Sequence, residues 1–487
     1  MSKSVFEHIK SGTLANADVL SGSQPEQAAD LVEQFLKEGV ETVRLVFADQ
    51  HGILRGKTVV TEALASAFAN GIGMPSTLLL KDTAHKTVFP VWNEDVSFGE
   101  TVLNGASDVL AAPDPNTATK VPWSPHSRMI LCRVLDRDYK PVAFSSEHVL
   151  HRAVSELDAL GYQAVMGLET EFQIFETVDA SLEHGQATMP PDAIETRNVT
   201  QGWQYLSETR YGEAEDILDV LRRAAQNMGL EPRTIEIEMG PSQFEFTFAP
   251  SDPMTQANRY VLFRTMVKEV CHLRGLHASF MAKPKLPNAA ANGWHIHQSL
   301  YSKSSGDNAF MPREAGTLTS EAAGWIAGLL DNAAASCLMT TPTINGYKRY
   351  APFQLAPNRV AWGEDNRGAM VRALLKPGDT ASRIENRVAD SAVNPYFALA
   401  AQILSGTDGL RRSARPPEAT TTPYAESAER LPQSLIAAVE ALEKSAMYKA
   451  ALGETFVNYL LQIKRAEWER YLMTVSEWEQ DEYFNLF

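Results

Sequence analysis

Three short segments carry acidic side chains where a core strand should be apolar. GLETEFQIFE places Glu169 and Glu171 two residues apart, so in a strand both point to one face. IEIEMGPSQFEF adds Glu236, Glu238 and Glu245, and SRIENRV sets Glu385 between Arg383 and Arg387. NGWHIHQSL repeats the spacing with His295 and His297. Taken singly, each pair also suits the wet face of a half-buried strand. Taken together, the carboxylates would repel one another unless cations sat among them. An oxygen-rich set completed by imidazole suits Mg²⁺ or Mn²⁺. No HExxH spacing surrounds the histidines, which argues against a zinc protease.

A set of arginines follows. Arg349, Arg367, Arg372, Arg383 and Arg387 fall among small and apolar residues, not in a run of like charge. The guanidinium fork matches carboxylate and phosphate oxygens, so the set suits a polyphosphate and a carboxylate substrate together. Ion pairs with the chain's 60 acidic residues are the competing reading. There is no GxxxxGK[ST] loop and no GxGxxG after a strand. Metals and arginines would then hold a nucleotide's phosphates.

The elements that must position these groups form two domains. At 487 residues the chain exceeds one ordinary domain, and 44% hydrophobic with 21% charged residues is a globular balance. The net charge of −16 argues against nucleic acid or an anionic membrane as partner. Cys132, Cys271 and Cys337 are scattered, which excludes a disulfide scaffold or thiolate zinc site and suits a reducing cytoplasm. No signal peptide and no run of about 18 apolar residues is visible, so no membrane span is expected. Residues 1–34 read as a helical or loose extension. Residues 40–60 read as a hairpin around DQHG, and TEALASAFANG as a short helix ending at glycine. The proline-rich stretch 108–128 reads as a connection between domains, followed by a strand in RMILCRVLD and a boundary near Lys140. Helices are expected over 147–160, 216–228, 256–274 and 320–339, and from Leu431 onward. The fold class is α+β, with domains at 35–140 and 141–487.

In this order the motifs resemble the glutamine synthetase superfamily. They are VRLVFADQHGILRGK, PDPNTATKVPW, GLETEF, EMGPSQFEF, SFMAKP, NGWHIHQS, NGYKRYAP, WGEDNR, SRIENR and NPYFALAAQILSGTDG. The resemblance runs from about Val40 to Phe487. It implies a β-grasp-like N-terminal domain and a catalytic domain on a curved antiparallel sheet with surrounding helices. It also implies a homo-oligomer of stacked rings, dodecamer-like, with active sites shared between subunits. By resemblance, Glu171, Glu238 and Glu245 surround one metal, and Glu169, His295 and Glu385 a second that bridges the ATP phosphates. Arg349 and Arg387 match arginines that hold glutamate's α-carboxylate and the transferred phosphoryl group. Arg367, Arg372 and Arg383 match those facing the nucleotide, with His297 and Ser299 on the same side. The implied chemistry is activation of L-glutamate by ATP as γ-glutamyl phosphate, then attack by an amine.

Two departures bear on the amine. Where ammonia-using relatives carry a flap glutamate before Ala-Pro, this chain reads PFQLAP with Leu355 in that place. The glycine-rich loop of those relatives reads NAAANGWHIH here, with Ala290 and Ala291 replacing an Asn-Gly pair and Trp294 where methionine is common. Asp82 in KDTAH is the candidate for the N-terminal amine-site aspartate. A leucine cannot take a proton, so an apolar or aromatic organic amine is expected as acceptor, with Leu355, Trp294 and Asp82 around it. The alternatives are glutamine synthetase using ammonia, a γ-glutamylpolyamine synthetase, and an inactive structural relative. The last would lack metal ligands that this chain retains. Tyr424 lacks the Asn-Leu-Tyr context of an adenylylation site, so that regulation is not expected.

Overall fold

The computed structural model describes residues 2–93, 97–98, 101–103, 106–350, 355–425 and 427–487. Alternation in VRLVFA gives strand Thr42–Ala48. The DQHG turn returns it as Leu54–Val60, in antiparallel register from Thr42 opposite Val60 to Ala48 opposite Leu54. Five strands form the main path of the first sheet in the order Leu54–Val60, Thr42–Ala48, Ser127–Leu135, Asp108–Pro113, Ile72–Pro75. The pairing of Thr42–Ala48 with Ser127–Leu135 is parallel. The proline-rich stretch is therefore not a connection between domains. Asp108–Pro113 and Thr119–Lys120 both pair with Ser127–Leu135. The prolines fall at the end of the first strand and in the turn after it, where no ladder N–H is needed. The N-terminal segment is helical (Ser2–Lys10, Thr13–Asn16, Gln24–Lys37) and packs down, with Ile9 and Leu14 fully buried. Lys140 falls between the last strand of this sheet and helix Ser146–Asp158.

The second sheet positions the chemistry. Its order is Pro232–Ile237, Gln243–Phe248, Tyr162–Asp179, Trp294–Ser302, Arg383–Asn386, Val371–Leu374, Trp362–Glu364. All pairs along that path are antiparallel except the last, which is parallel. Register does the assembly. Glu236 faces Glu245, Glu245 faces Glu171, His295 faces Glu169, His297 faces Glu385, and Glu385 faces Arg372. Period-two alternation sends the intervening residues to the other face. There Phe172, Phe246 and Phe263 pack with ring centroids 5.2–5.8 Å apart, and Tyr260 lies 5.0 Å from Trp294. A slip of one residue in any strand would bury the carboxylates and expose the aromatics.

Helices cover the aromatic face. The expected helix over 320–339 is two, Ser320–Asp331 and Ala333–Thr340, bent by 76°. Helix Pro395–Arg411 lies so close that a Cβ on Gly328 would sit 2.0 Å from the Ser405 carbonyl, and one on Gly409 1.9 Å from that of Gly324. Glycine is what permits that approach. Among the described residues no single helix is long and apolar enough to cross a membrane. The bent pair passes that test only by length and composition and lies in the core.

Candidate active site

The face bearing the acidic row floors a cavity of about 520 Å³. Among its lining residues are Glu169, Glu171, Glu236, Glu238, Glu245 and His295 from the sheet, with Arg349, Arg367 and Arg387. Ligand atoms of Glu171, Glu238 and Glu245 lie within 4.8 Å of one another. So do those of Glu169, Glu245 and His295, and those of Glu169, His297 and Glu385. The first trio is the one implied by resemblance. The second expected set is distributed differently, because Glu169 is shared between the two histidines. Its Oε2 lies 3.0 Å from His295 Nδ1 and its Oε1 2.8 Å from His297 Nε2. His295 Nδ1 is 3.9 Å from Glu385. Arg383 Nε donates to His297 Nδ1 at 3.2 Å. Nε2 is therefore the protonated nitrogen of His297 and donates to Glu169. That disposes His297 to donate and leaves His295 the freer imidazole.

The electrostatics fit divalent cations. Burial, reinforced by Glu171, pushes the Glu238 carboxyl up to about 8. Burial and then Glu169 and Glu171 hold Glu245 well above the usual carboxylate range. Burial alone would raise Glu169 too, but hydrogen bonds from both histidines bring it well below. Glu385 is likewise lowered, burial being outweighed by Arg387 and the histidines. Carboxyls that hold protons because they are buried and crowd one another are groups a metal ion would deprotonate and bridge. In the metal-free protein the folded-state pKa of Glu238 lies above its usual 4.5. This group therefore stabilises the fold least at high pH, its contribution falling between about 4.5 and about 8. Mg²⁺ affinity should accordingly rise with pH across that window, with proton release, and thermal melting with and without Mg²⁺ should diverge most near pH 8. Calorimetric titration in two buffers of different ionisation enthalpy measures the protons.

Arg349 and Arg387 are almost fully buried, and the Nε of each has no hydrogen-bond partner. Arg349 Nη1 donates to the Val388 carbonyl at 2.8 Å, which aims the remainder of its fork. Among the described residues neither Arg349 nor Arg367 has an ion pair within 4.0 Å. Arg372, by contrast, bonds Glu385 at 3.1 Å and Asp365, and Arg383 bonds His297. Neither is among the residues lining this cavity. Ser299 lies two residues beyond His297 on the same face of its strand.

The loop before the histidines is held by a buried network. Asn292 Nδ2 donates to Met281 O at 2.7 Å, and its Oδ1 accepts from Gln243 Nε2 at 3.0 Å. Gln243 and the Gly293 N–H both donate to Glu171 Oε2, at 3.2 and 2.8 Å. A Cβ on Gly293 would sit 2.8 Å from His295 Nε2 and 3.0 Å from Glu171 Oε1. Gly293→Ala should therefore misplace two ligands at once and lower apparent Mg²⁺ affinity about 10–100-fold, as disturbed ligand support does. Activity against Mg²⁺ concentration reads this directly.

One expected amine-pocket residue is not where resemblance put it. Trp294 is fully buried on the opposite face of the sheet, because it lies one residue from His295 in the same strand. Asp82 does not line the cavity of this chain. Its Oδ1 accepts the Ala84 and Lys86 N–H groups and its Oδ2 pairs with Arg470 at 3.1 Å, so it organises its own turn. Leu355 does line the cavity, half exposed, while Pro352, Phe353 and Gln354 of its segment lie outside the described residues. Ala290 and Ala291 line it as well. The residues missed from sequence are Trp203, Tyr205 and Leu206, which face the cavity with Leu355 and Met239. Their loop is pinned to the acidic hairpin by Trp203 N to Met239 O at 2.7 Å and Leu206 N to Ile237 O at 3.0 Å. Trp203, Leu206 and Leu355 all take positive φ, at 69°, 56° and 54°. Non-glycine residues adopt that region uncommonly and at a cost in backbone strain. Burial and then Glu238 push the Tyr205 hydroxyl up to about 12, as expected for a phenol beside the acidic cluster.

The glutamine synthetase catalytic-domain family matches residues 145–483. A gamma-glutamylanilide synthase from an Acinetobacter species is 35% identical over 484 residues, covering 95% of this chain and 97% of that protein. Glutamine synthetase of Pyrococcus furiosus is 32% identical over 470 residues, covering 92% and 97%. A solved GmaS/ADP complex superposes with a TM-score of 0.78 at 26% identity, covering 94% of this chain and 99% of that one. With a paired acidic cluster, unpaired arginines and no phosphate-binding glycine loop, the chain belongs to the glutamine synthetase family and is an ATP-dependent carbon–nitrogen ligase.

Proposed function

We propose that the protein activates the γ-carboxylate of L-glutamate with ATP and joins it to an organic amine of apolar or aromatic character, giving a γ-glutamylamide, ADP and phosphate. The observation that carries this reading is the group of Trp203, Tyr205, Leu206 and Leu355 lining the same cavity beside the acidic cluster. It offers contact area to a hydrocarbon body and no carboxylate at the Leu355 position to accept a proton from ammonium. The identity of the anilide-forming relative points the same way.

Arg349 holds the α-carboxylate of glutamate in this scheme, through donors that no protein group occupies. Arg387 and Arg367 receive the charge of the phosphoryl group in transfer. Arg372, Arg383, His297 and Ser299 face the nucleotide along the same strands. Glu171, Glu238 and Glu245 hold one Mg²⁺ or Mn²⁺, and Glu169, His295 and Glu385 a second. These ions, when bound, neutralise the charge of two approaching anions. The amine attacks the acyl carbon of γ-glutamyl phosphate as its lone pair becomes free, and phosphate leaves. An aromatic amine is unprotonated at neutral pH and needs little help from a base.

We also propose a ring-shaped homo-oligomer in which neighbouring subunits close the cavity. The exposed apolar end of the chain, with Trp478, Phe484, Leu486 and Phe487, supplies surface that an assembly would cover. Mass photometry measures the copy number.

Incubation with glutamate, ATP, Mg²⁺ and aniline, followed by mass spectrometry, tests the function. A γ-linked anilide with stoichiometric ADP is expected. ADP release without amide, or no amine dependence, contradicts the reading. Arg349→Lys keeps charge but loses the fork. It should weaken apparent glutamate affinity about tenfold or more and ATP affinity much less. The reverse ranking in steady-state kinetics contradicts the role given to Arg349.

A further inference from the structure

A second cavity, about 210 Å³, lies between the N-terminal sheet and the start of the catalytic fold, separate from the acidic cluster. Phe47, Ala48 and residues 131–134 wall one side. Ser145, Glu147 and His151 at the start of helix Ser146–Asp158, with Asn258 and Tyr396, wall the other. Ser145 is the N-cap of that helix. A serine there ordinarily accepts an N–H of the first turn. This one does not: its Oγ is buried with no partner, and the residue is 2% exposed.

Arg133 reaches the same cavity. Its Nε is buried without a partner, and Nη2 donates to the Val19 carbonyl at 2.5 Å. Among the described residues it has no ion pair within 4.0 Å, and neither has Glu147. Burial raises the Glu147 carboxyl, with Arg133 opposing. Asp114 also lines the cavity, but its Oδ1 already accepts the Asn116 N–H and side-chain amide at 3.0 and 3.1 Å. Arg133 and Glu147 share the cavity without pairing with each other. Both residues are half-buried, and charged groups withdrawn from water to that degree ordinarily find a partner.

We propose that this cavity binds a small zwitterion, a free amino acid, with its carboxylate on Arg133, Ser145 Oγ and the uncapped N-terminus of the 13-residue helix and its ammonium on Glu147. The helix N–H groups and their dipole favour the carboxylate at that end. A zwitterion supplies both missing counter-charges while adding no net charge. The site spans the N-terminal sheet and the catalytic fold, so occupancy ties the two together.

Calorimetry and thermal melting of the intact protein with glycine, L-alanine and β-alanine test this, with acetate and ethylamine as single-charge controls. Zwitterions should bind and raise Tm, and the controls should not. Glu147→Gln and Arg133→Met should each weaken binding about tenfold or more. Glu147→Gln is isosteric and carries the test if Arg133→Met folds poorly. Binding should persist in Arg349→Lys, whose altered group is in the other cavity. No response to any zwitterion at millimolar concentration overturns the proposal, as does unchanged binding in Glu147→Gln. Binding lost in Arg349→Lys alone would place the zwitterion in the substrate cavity and also overturn it.

Discussion

Glu171→Gln should lower turnover about 10³-fold or more and leave the protein folded. The substitution keeps an oxygen to accept the Gly293 and Gln243 N–H groups but removes one charge from the first metal trio. Losing a ligand to the ion that offsets two anions costs several kcal/mol in the transition state. Stability should move the other way. After burial, Glu171 is the next cause of the raised Glu238 carboxyl, so its neutralisation relieves repulsion in the metal-free state. Without Mg²⁺, Glu171→Gln should melt at or above wild type, and Mg²⁺ should raise its Tm less.

Glu385→Ala makes an instructive contrast. Glu385 is fully buried and bonded to both Arg372 and Arg387. Its removal strands the Arg387 guanidinium and leaves Arg372 with Asp365 alone, and breaking such a buried pair ordinarily costs about 3–5 kcal/mol. Activity and stability should fall together there, whereas at Glu171 they separate. Turnover and melting measured on both variants check the pair. Near-normal turnover in Glu171→Gln with unchanged metal dependence would remove Glu171 from the ligand set.

The second large effect concerns the amine. Leu355→Glu should raise the use of ammonium relative to aniline about 10²-fold, the scale of a positioned acid–base group. The site tolerates the change because Leu355 is 51% exposed, and its φ of 54° constrains leucine and glutamate alike, neither being β-branched. Trp203→Ala should lose about tenfold in kcat/KM for aniline and little for ammonium, since a small cation makes no use of the indole. Ratios of kcat/KM for the two amines, measured on both variants, decide the matter. An unchanged ratio in Leu355→Glu would mean that Leu355 packs a loop and does not face the acceptor.

The acidic and histidine row was legible in the sequence because strand periodicity converts spacing into a shared face. ExE and HxH read directly as a row once the strands pair. What spacing cannot give is register, and register decided that Glu169 serves both histidines. The same periodicity should have excluded Trp294 from the pocket, since it is one residue from His295. Motif position outweighed the alternation in that reading. Asp82 organises its own turn, and a carboxylate after a strand serves a turn as readily as a ligand. The 108–128 stretch misled because its prolines sit at a strand end and in a turn, where they stop nothing. Trp203, Tyr205 and Leu206 lie in an irregular loop with no period to read. The only signal there was an aromatic cluster, QGWQYL, ahead of the acidic hairpin.

The central claim is that this ligase prefers an organic amine to ammonia, and a single competition measures it. Wild-type protein is given glutamate, ATP and Mg²⁺ with equal concentrations of ammonium and aniline at neutral pH, and both products are quantified by mass. The γ-anilide should exceed glutamine at least tenfold, as expected where apolar contact replaces an ammonium-handling carboxylate. Glutamine as the main product would contradict the account and leave an ammonia-using glutamine synthetase.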